Sequence, residues 1–254
     1  MTIAAFVLAG FVSGLVSGGL GVGGAIIATP LVRALGMSPY LAIGTTVPAI
    51  LPSALVGAFT YWRQGLVRKA ALPWVAAPAA LASIAGALTT RAINGHILML
   101  ATAGLLFVLA LRILPTHGST PQKEHKAMSP GPAHYVTLGI ATGFLSGLLG
   151  VGGGFLMIPV FIKTFGFPPK EALGTSLAII ALTVVPNVIT QTYVGNIDWT
   201  IAGLLALGVI PGARLGAITA IKTADQRLLR FVASSLLVIA VVYAALEVAA
   251  LSRP

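Results

Sequence analysis

The amino-acid sequence predicts an all-α polytopic membrane protein built from two inverted repeats. Each repeat is expected to contain a glycine-tipped, re-entrant helical hairpin followed by three transmembrane helices. Three observations support this fold class: an apolar composition, a duplicated glycine-rich segment, and the distribution of lysine and arginine. Of the 254 residues, 57% are hydrophobic and 8% are charged. This is too apolar for a soluble domain, and apolar runs of about twenty residues recur along the chain.

The glycine-rich segment occurs once in each half of the chain. Residues 14–24 read GLVSGGLGVGG and residues 143–153 read GFLSGLLGVGG, so that eight of eleven positions are identical at an offset of 129. A proline follows each copy at the same offset, Pro30 and Pro159. Matches continue through the later segments at an offset of 130. Glycine-interrupted apolar segments at corresponding positions of two halves are typical of a transport site in a membrane protein.

A polar segment rich in proline, glycine and serine separates the repeats. Repeat 1 covers residues 1–114, repeat 2 covers residues 134–254, and the linker 115–133 is predicted to be a flexible cytoplasmic loop. The predicted elements of repeat 1 are hairpin 3–35 and helices 40–62, 71–90 and 95–114. Those of repeat 2 are hairpin 134–162 and helices 171–194, 199–221 and 228–251.

Two features of the first segment of each repeat predict a hairpin. At 33 residues, segment 3–35 exceeds the length of one crossing and is expected to split into two half-helices. The glycines at positions 10, 14 and 18, like those at 139, 143 and 147, recur every fourth residue and predict close helix packing. The denser glycines further on predict a break, because each glycine costs a helix interior roughly 1 kcal/mol relative to alanine.

The basic residues favour the hairpin topology over eight straight crossings. If every apolar segment crossed once, lysine and arginine would divide seven against seven between the two sides. If segments 3–35 and 134–162 each return to the side they entered from, the division becomes eleven against three. Three crossings per repeat then make the repeats inverted, with both termini outside and the linker inside. The eleven are Arg63, Arg68, Lys69, Arg112, Lys123, Lys126, Lys163, Lys170, Lys222, Arg227 and Arg230, and the three are Arg33, Arg91 and Arg253.

The remaining polar residues exclude several function classes. The five acidic residues lie in loops or near predicted helix ends, whereas cation and proton-coupled transporters usually carry a carboxylate at mid-membrane. There are no cysteines and the four histidines lie in loops or at segment ends, so no metal site, catalytic triad or cofactor is predicted. The net charge of +10 is explained by the positive-inside rule and anionic lipid, without nucleic acid.

The glycine tips are the main candidates for ligand binding. After each break the second half-helix begins, and its free N–H groups and positive dipole end form a ready anion site. Two such ends, one from each repeat, could face a single anion, and the alternative is a purely structural tight turn. The tip residues are Gly21, Val22, Gly23, Gly24 and Ala25 in repeat 1, and Gly150, Val151, Gly152, Gly153 and Gly154 in repeat 2.

Hydroxyl, amide and guanidinium groups form a second set of candidates. Ser17 and Ser146 precede the tips at matched positions, and the pairs Thr45–Thr46 and Thr175–Ser176 also match, together with Asn187, Gln191 and Arg214. For the hydroxyls the alternative is a hydrogen bond to the preceding helical turn. For Arg214, the alternative is that its side chain extends to the cytoplasmic surface.

The paired SGLLGVGGG…P segments and the GTT and GTS sequences after them resemble the sulfite exporter TauE/SafE family of membrane permeases. The resemblance covers essentially the whole chain, although the first copy has Ala25 where the second has Gly154. It implies a bacterial-type inner-membrane permease. It also implies that the substrate is sulfite or a small organosulfur anion such as a sulfonate, usually exported.

These observations together predict a secondary transporter that moves a small sulfur oxyanion outward by alternating access. An interior negative by about 100 mV drives each negative charge outward with roughly 2.3 kcal/mol, so that export needs no coupling ion. An anion channel and a membrane-embedded accessory or assembly protein are the alternatives, and a membrane enzyme lacks any buried acid, base and nucleophile cluster. The expected partners are the anion and the bilayer. The glycine stripes leave two alternatives open, packing within one chain or between two copies in a homodimer.

Overall fold

The computed structural model describes residues 3–113 and 131–251, so most of the predicted linker 115–133 lies outside the described residues. Within these ranges the chain is helical and contains no strand, which confirms the all-α prediction. Two 3-10 helices, Lys69–Ala71 and Thr90–Ala92, flank the fourth α-helix. The α-helices are α1 (Ile3–Leu20), α2 (Ala25–Ala34), α3 (Pro39–Trp62), α4 (Leu72–Thr89), α5 (Gly95–Ile113), α6 (Pro132–Leu149), α7 (Gly154–Lys163), α8 (Pro169–Val194), α9 (Trp199–Lys222) and α10 (Asp225–Leu251).

Among the described residues, six helices are long and apolar enough to cross a membrane: α1, α3, α4 with its flanking turns, α8, α9 and α10. Helix α5, which the sequence prediction also counted as a crossing, has 19 residues. The sequence prediction treated α1 as the first arm of a hairpin, and with 18 residues and a length of about 27 Å it is a long arm. The second arms are shorter, since α2 and α7 have 10 residues each. The arms of the hairpin are therefore unequal.

The glycine stripes of α1 and α6 allow each helix to pack closely against a neighbouring helix. A Cβ at any stripe glycine would overlap the backbone of the facing helix, so the predicted packing role is confirmed. Along each pair of helices the residue numbers of the contacting residues increase in the same direction, so the two helices of each pair are parallel. The pairs are Gly10 with Leu205, Gly14 with Val209 and Gly18 with Ala213 between α1 and α9, and Gly139 with Val75, Gly143 with Ala79 and Gly147 with Ser83 between α6 and α4.

The helices of the two repeats pair in a symmetric way, so that each contact has a counterpart between the corresponding helices. Helix α1 packs on α9 of the other repeat, as α6 packs on α4, while α3 pairs with α8 and α5 with α10. Helices α3 and α8 run antiparallel, because Gly44 lies against Asn196 near one end and Tyr61 lies against Gly174 near the other. These two helices form the centre of the bundle.

The chain reverses direction between α1 and α2. The Ser53 Oγ donates to the Ser17 Oγ over 2.8 Å, and a Cβ at Gly24 would lie 3.6 Å from the same Ser53 oxygen. Five residues further on, the Oγ1 atoms of Thr29 and Thr46 are 2.9 Å apart. Residue numbers thus rise along α2 as they fall along α3, as expected for a helix that returns from the tip.

Local signals set the ends of several helices. Helix α9 begins where the Asp198 carboxylate accepts hydrogen bonds from the backbone N–H groups of Thr200 and Ile201, at 3.0 and 3.1 Å. Helix α3 begins at Pro39, whose missing N–H costs nothing in the first turn. Helices α6 and α8 are followed by the cap residues Gly150 and Gly195, both in the left-handed conformation. The two hairpin tips are therefore held between long helices with fixed ends.

Candidate functional site

Positive backbone φ angles make the breaks at the two tips. In the first tip, Gly21 and Gly23 have φ of 69° and 82°; in the second, Gly150, Gly152 and Gly153 have φ of 66°, 90° and 63°. Glycine adopts this region freely, whereas other residues pay for it. The glycines at these positions are therefore required by the path of the backbone, beyond any role in packing.

The two tips touch each other at the centre of the bundle. A Cβ at Gly23 would lie 3.6 Å from the Gly152 Cα, and a Cβ at Gly154 would lie 2.5 Å from the Gly21 carbonyl oxygen. The same point at Gly23 is 3.5 Å from Ile50 and 3.7 Å from Ile180. Each isoleucine is the twelfth residue of its helix, α3 with 24 residues and α8 with 26. The tips thus meet halfway along the two central helices.

The contact explains why the second glycine motif continues with Gly154 where the first has Ala25. Gly154 has no room for a side chain, since its Cβ would also lie 2.8 Å from the Ser176 Oγ. Ala25, at the corresponding position of the first tip, carries its methyl group in a buried position. The two tips are therefore similar in backbone but unequal in how closely each approaches the other.

Several backbone N–H groups at the tips lack a hydrogen-bond acceptor. The first N–H of each break is paired, since Gly21 donates to Ser17 and Gly150 to Ser146. In the part of the chain that the structure describes, the next three N–H groups of each tip donate to no acceptor: those of Val22, Gly23 and Gly24, and those of Val151, Gly152 and Gly153. All six residues are buried. Unpaired buried N–H groups are rare and costly in proteins.

Hydroxyl groups bind the carbonyl side of the first tip. The Ser176 Oγ donates to the Gly21 carbonyl over 2.7 Å, and the Ser13 Oγ donates to the Gly24 carbonyl. Ser17 accepts from Ser53, as described above, and Ser146 lies beside Gly153 in the second tip. The hydroxyls thus satisfy tip carbonyls while the N–H groups stay unpaired. The N-terminal ends of α2 and α7 also carry the positive ends of their helix dipoles.

Sequence reasoning missed Ser13 and Ser53. Both are fully buried and belong to the hydroxyl cluster at the first tip. A signal was present, because the repeat offsets of 129 and 130 place Thr142 and Thr183 at the corresponding positions of repeat 2. A hydroxyl recurring at matched buried positions therefore indicates a role shared by both repeats.

Thr45 and Thr175, at matched positions of the two halves, each form a hydrogen bond to the other repeat. The Thr45 Oγ1 accepts from the Asp198 backbone N–H at 2.9 Å, and the Thr175 Oγ1 accepts from the Arg68 backbone N–H at 3.0 Å. The Thr46 hydroxyl bonds the preceding turn of its own helix at Ala42. The Thr45 and Thr175 hydroxyls therefore accept hydrogen bonds that join one repeat to the other.

Asn187 and Gln191, both in α8, each carry a buried amide atom without a hydrogen-bond partner among the described residues. Asn187 Nδ2 donates to the Ser146 carbonyl over 3.4 Å, and Gln191 Oε1 accepts from Asn196 over 3.1 Å. Asn187 Oδ1 and Gln191 Nε2 are buried and have no partner among the described residues. Together they leave one acceptor and one donor, one helical turn apart, for a polar ligand or water.

Arg214 lies apart from the tips. It is exposed and lines a groove between α3 and α9 together with Arg63. In residues 3–113 and 131–251, no group of three or more histidine and acidic side chains could hold a metal ion. Of the predicted residues, the structure brings together the two tips, Ser17, Ser146 and Ser176, with Asn187 bonded to Ser146, while Arg214 lines a separate groove.

Known proteins match this sequence along nearly the whole chain. The family model described as sulfite exporter TauE/SafE matches residues 6–243. A relative from Xylella fastidiosa, named "Probable membrane transporter protein", is 30% identical over 244 residues, which cover 95% of this chain and 92% of the relative. The Bacillus subtilis protein named "Probable membrane transporter protein YunE" is 28% identical over 85% of this chain and 86% of its own length. No solved structure matches the chain significantly.

Proposed function

Because the chain belongs to the sulfite exporter TauE/SafE family and is a multi-pass membrane transporter, we propose that it exports a small sulfur oxyanion, sulfite or an organosulfonate. The proposed mechanism is alternating access by a secondary transporter. The anion binds where the two glycine tips meet, and the membrane potential drives it outward.

The observation that carries this proposal is the group of six unpaired, buried N–H groups at the meeting point of the tips. Donors without acceptors in a buried site favour an anionic ligand, since the sulfur oxyanion supplies several acceptor oxygens at once. The described acidic side chains Glu171, Asp198 and Asp225 belong to the first turns or caps of helices, remote from the middle of α3 and α8. The charge environment at the tips therefore favours an anion over a cation.

The helix pairing supports a way of opening the site. Helices α1 and α9 contact each other backbone to backbone, and so do α6 and α4. Each hairpin is thus attached firmly to a helix of the other repeat, and the two pairs move as units. In the present arrangement the tips close against each other, and access from either side requires one pair to rock away from the other. The antiparallel course of α3 and α8 supports the inverted repeats that this mechanism uses.

The direction follows from charge. The hairpin topology puts eleven basic residues on one side, and the positive-inside rule favours that side as the cytoplasmic side of an inner membrane, with both termini outside. An interior potential of about −100 mV then favours exit of each negative charge by roughly 2.3 kcal/mol.

Flux through purified protein in liposomes tests the proposal. Sulfite and a short sulfonate are loaded inside, and a potassium gradient with valinomycin sets the interior negative. We expect saturable efflux that increases with the potential and competition between the two anions. Absence of flux with folded, inserted protein contradicts transport of sulfur oxyanions, and flux that does not saturate indicates the channel alternative.

A further inference from the structure

We propose that the groove between α3 and α9 is a binding site for the head group of an anionic phospholipid. This groove, called the α3–α9 groove below, has a volume of about 950 Å³. None of its nine lining residues is acidic; they are Leu55, Val56, Phe59, Thr60, Arg63, Gln64, Ile210, Arg214 and Ile218. The site is distinct from the glycine tips and the proposal does not depend on the transported substrate.

The groove changes from apolar to basic along its length. Leu55 and Ile210 are 52% and 45% exposed, so that their side chains face the acyl chains of the bilayer. Arg63 caps the end of α3, and Arg214 lies eight residues before Lys222, the last residue of α9. Those eight residues correspond to about 12 Å of helix. An amphiphile with an apolar tail and a negative head matches this order, whereas a free oxyanion needs only the basic part.

Both arginines are available to a ligand. In the part of the chain that the structure describes, Arg214 makes no hydrogen bond or ion pair, although it lies within a helix two turns from its end. The Arg63 guanidinium lies 5.6 Å from the centre of the Phe59 ring, which holds it at the wall of the groove. A guanidinium inside a membrane helix is costly without a counter-charge.

A phosphate head group provides that counter-charge. Two guanidinium groups can share the oxygens of one phosphodiester, each through paired N–H donors. The Gln64 amide and the Thr60 hydroxyl lie in the same lining and can bind glycerol hydroxyls of the head group. Basic pockets between transmembrane helices at the cytoplasmic surface recognise anionic lipids by this chemistry.

Native mass spectrometry of the full-length chain tests the site. The protein is titrated with phosphatidylglycerol and, separately, with phosphatidylcholine of the same acyl chains. We expect preferential binding of phosphatidylglycerol, weakened about fivefold by either R63Q or R214Q, equivalent to about 1 kcal/mol per arginine. The control is R230Q, which removes an exposed arginine outside the groove. Equal binding of the two lipids, or equal loss in R230Q, overturns the proposal.

A competition experiment on the unmodified protein distinguishes a lipid site from a vestibule for free anions, and it is independent of how the variants fold. Protein with bound phosphatidylglycerol is treated with millimolar sulfite or glycerol phosphate. Retention of the lipid supports the amphiphile site. Displacement by either soluble anion at that concentration overturns it and assigns the groove to free oxyanions.

Discussion

Replacing Gly152 by alanine tests whether the tips bind the anion. Gly152 has a φ of 90° and Gly36, in the connection between α2 and α3, has a φ of 92°. Alanine in this backbone region costs about 1–2 kcal/mol at either position. The surroundings differ, because a Cβ at Gly152 would lie 3.3 Å from the Val22 carbonyl oxygen, while nothing lies within 4 Å of a Cβ at Gly36. Gly36→Ala is therefore a control matched in backbone strain.

Both variants are expected to fold, since the strain is a fraction of the roughly 5–15 kcal/mol that stabilises a typical protein. The methyl group at Gly152 enters the contact between the tips and blocks access to the N–H groups there. Losing one hydrogen bond to a charged ligand costs about 1.5–3 kcal/mol, which lowers flux roughly tenfold to hundredfold. Sulfite efflux from liposomes measures the effect, and thermal unfolding in detergent measures the shared strain. Equal efflux by Gly152→Ala and Gly36→Ala refutes the assignment of the site to the tips.

Three further variants test the parts that position the tips. Gly154→Ala should abolish efflux, because its Cβ would lie 2.5 Å from the Gly21 carbonyl; Ala25→Gly should transport normally, and equal effects of the two contradict the inequality of the tips. Gly143→Ala should prevent recovery of monodisperse protein, because its Cβ overlaps the α4 backbone. Gly104→Ala, with open space around it, is the control and should raise the unfolding temperature slightly. Similar size-exclusion chromatograms for the two variants contradict the packing argument. Thr175→Val should lower unfolding stability by about 1–3 kcal/mol, because it leaves a backbone N–H unpaired, and Thr175→Ser should restore it; a stable valine variant contradicts the role of this hydroxyl as an acceptor.

The features that could be predicted from the sequence depend on local chemistry. The stripe glycines recur every four residues, which is the spacing of one helix face, and this spacing identified them as packing residues. The dense glycines of the tips identified the breaks, because a run of glycine is unfavourable in a helix and permits positive φ. The long apolar runs identified the helical membrane fold for the same kind of reason, since hydrogen-bonded helices satisfy the backbone in lipid.

Other features depended on contacts between distant residues. From the sequence, Thr45 and Thr175 were possible ligand donors. In the fold, each hydroxyl accepts a hydrogen bond from the backbone N–H of a residue more than a hundred positions away. The sequence left open whether Arg214 faces the substrate, and the fold places it in the α3–α9 groove. It predicted close packing at the glycine face of α1 but not that α9 of the other repeat is the partner, because that contact is not visible in the sequence of α1.

The sequence alone determined that the chain is a helical membrane protein with two related halves and a glycine break in each. These are consequences of composition, periodicity and backbone freedom, which act within a few residues. Only the tertiary structure decided that the two breaks meet at the middle of α3 and α8 and that six of their N–H groups remain unpaired. That arrangement depends on packing between helices from opposite ends of the chain, because the position of each tip is set by the backbone surface of the other repeat.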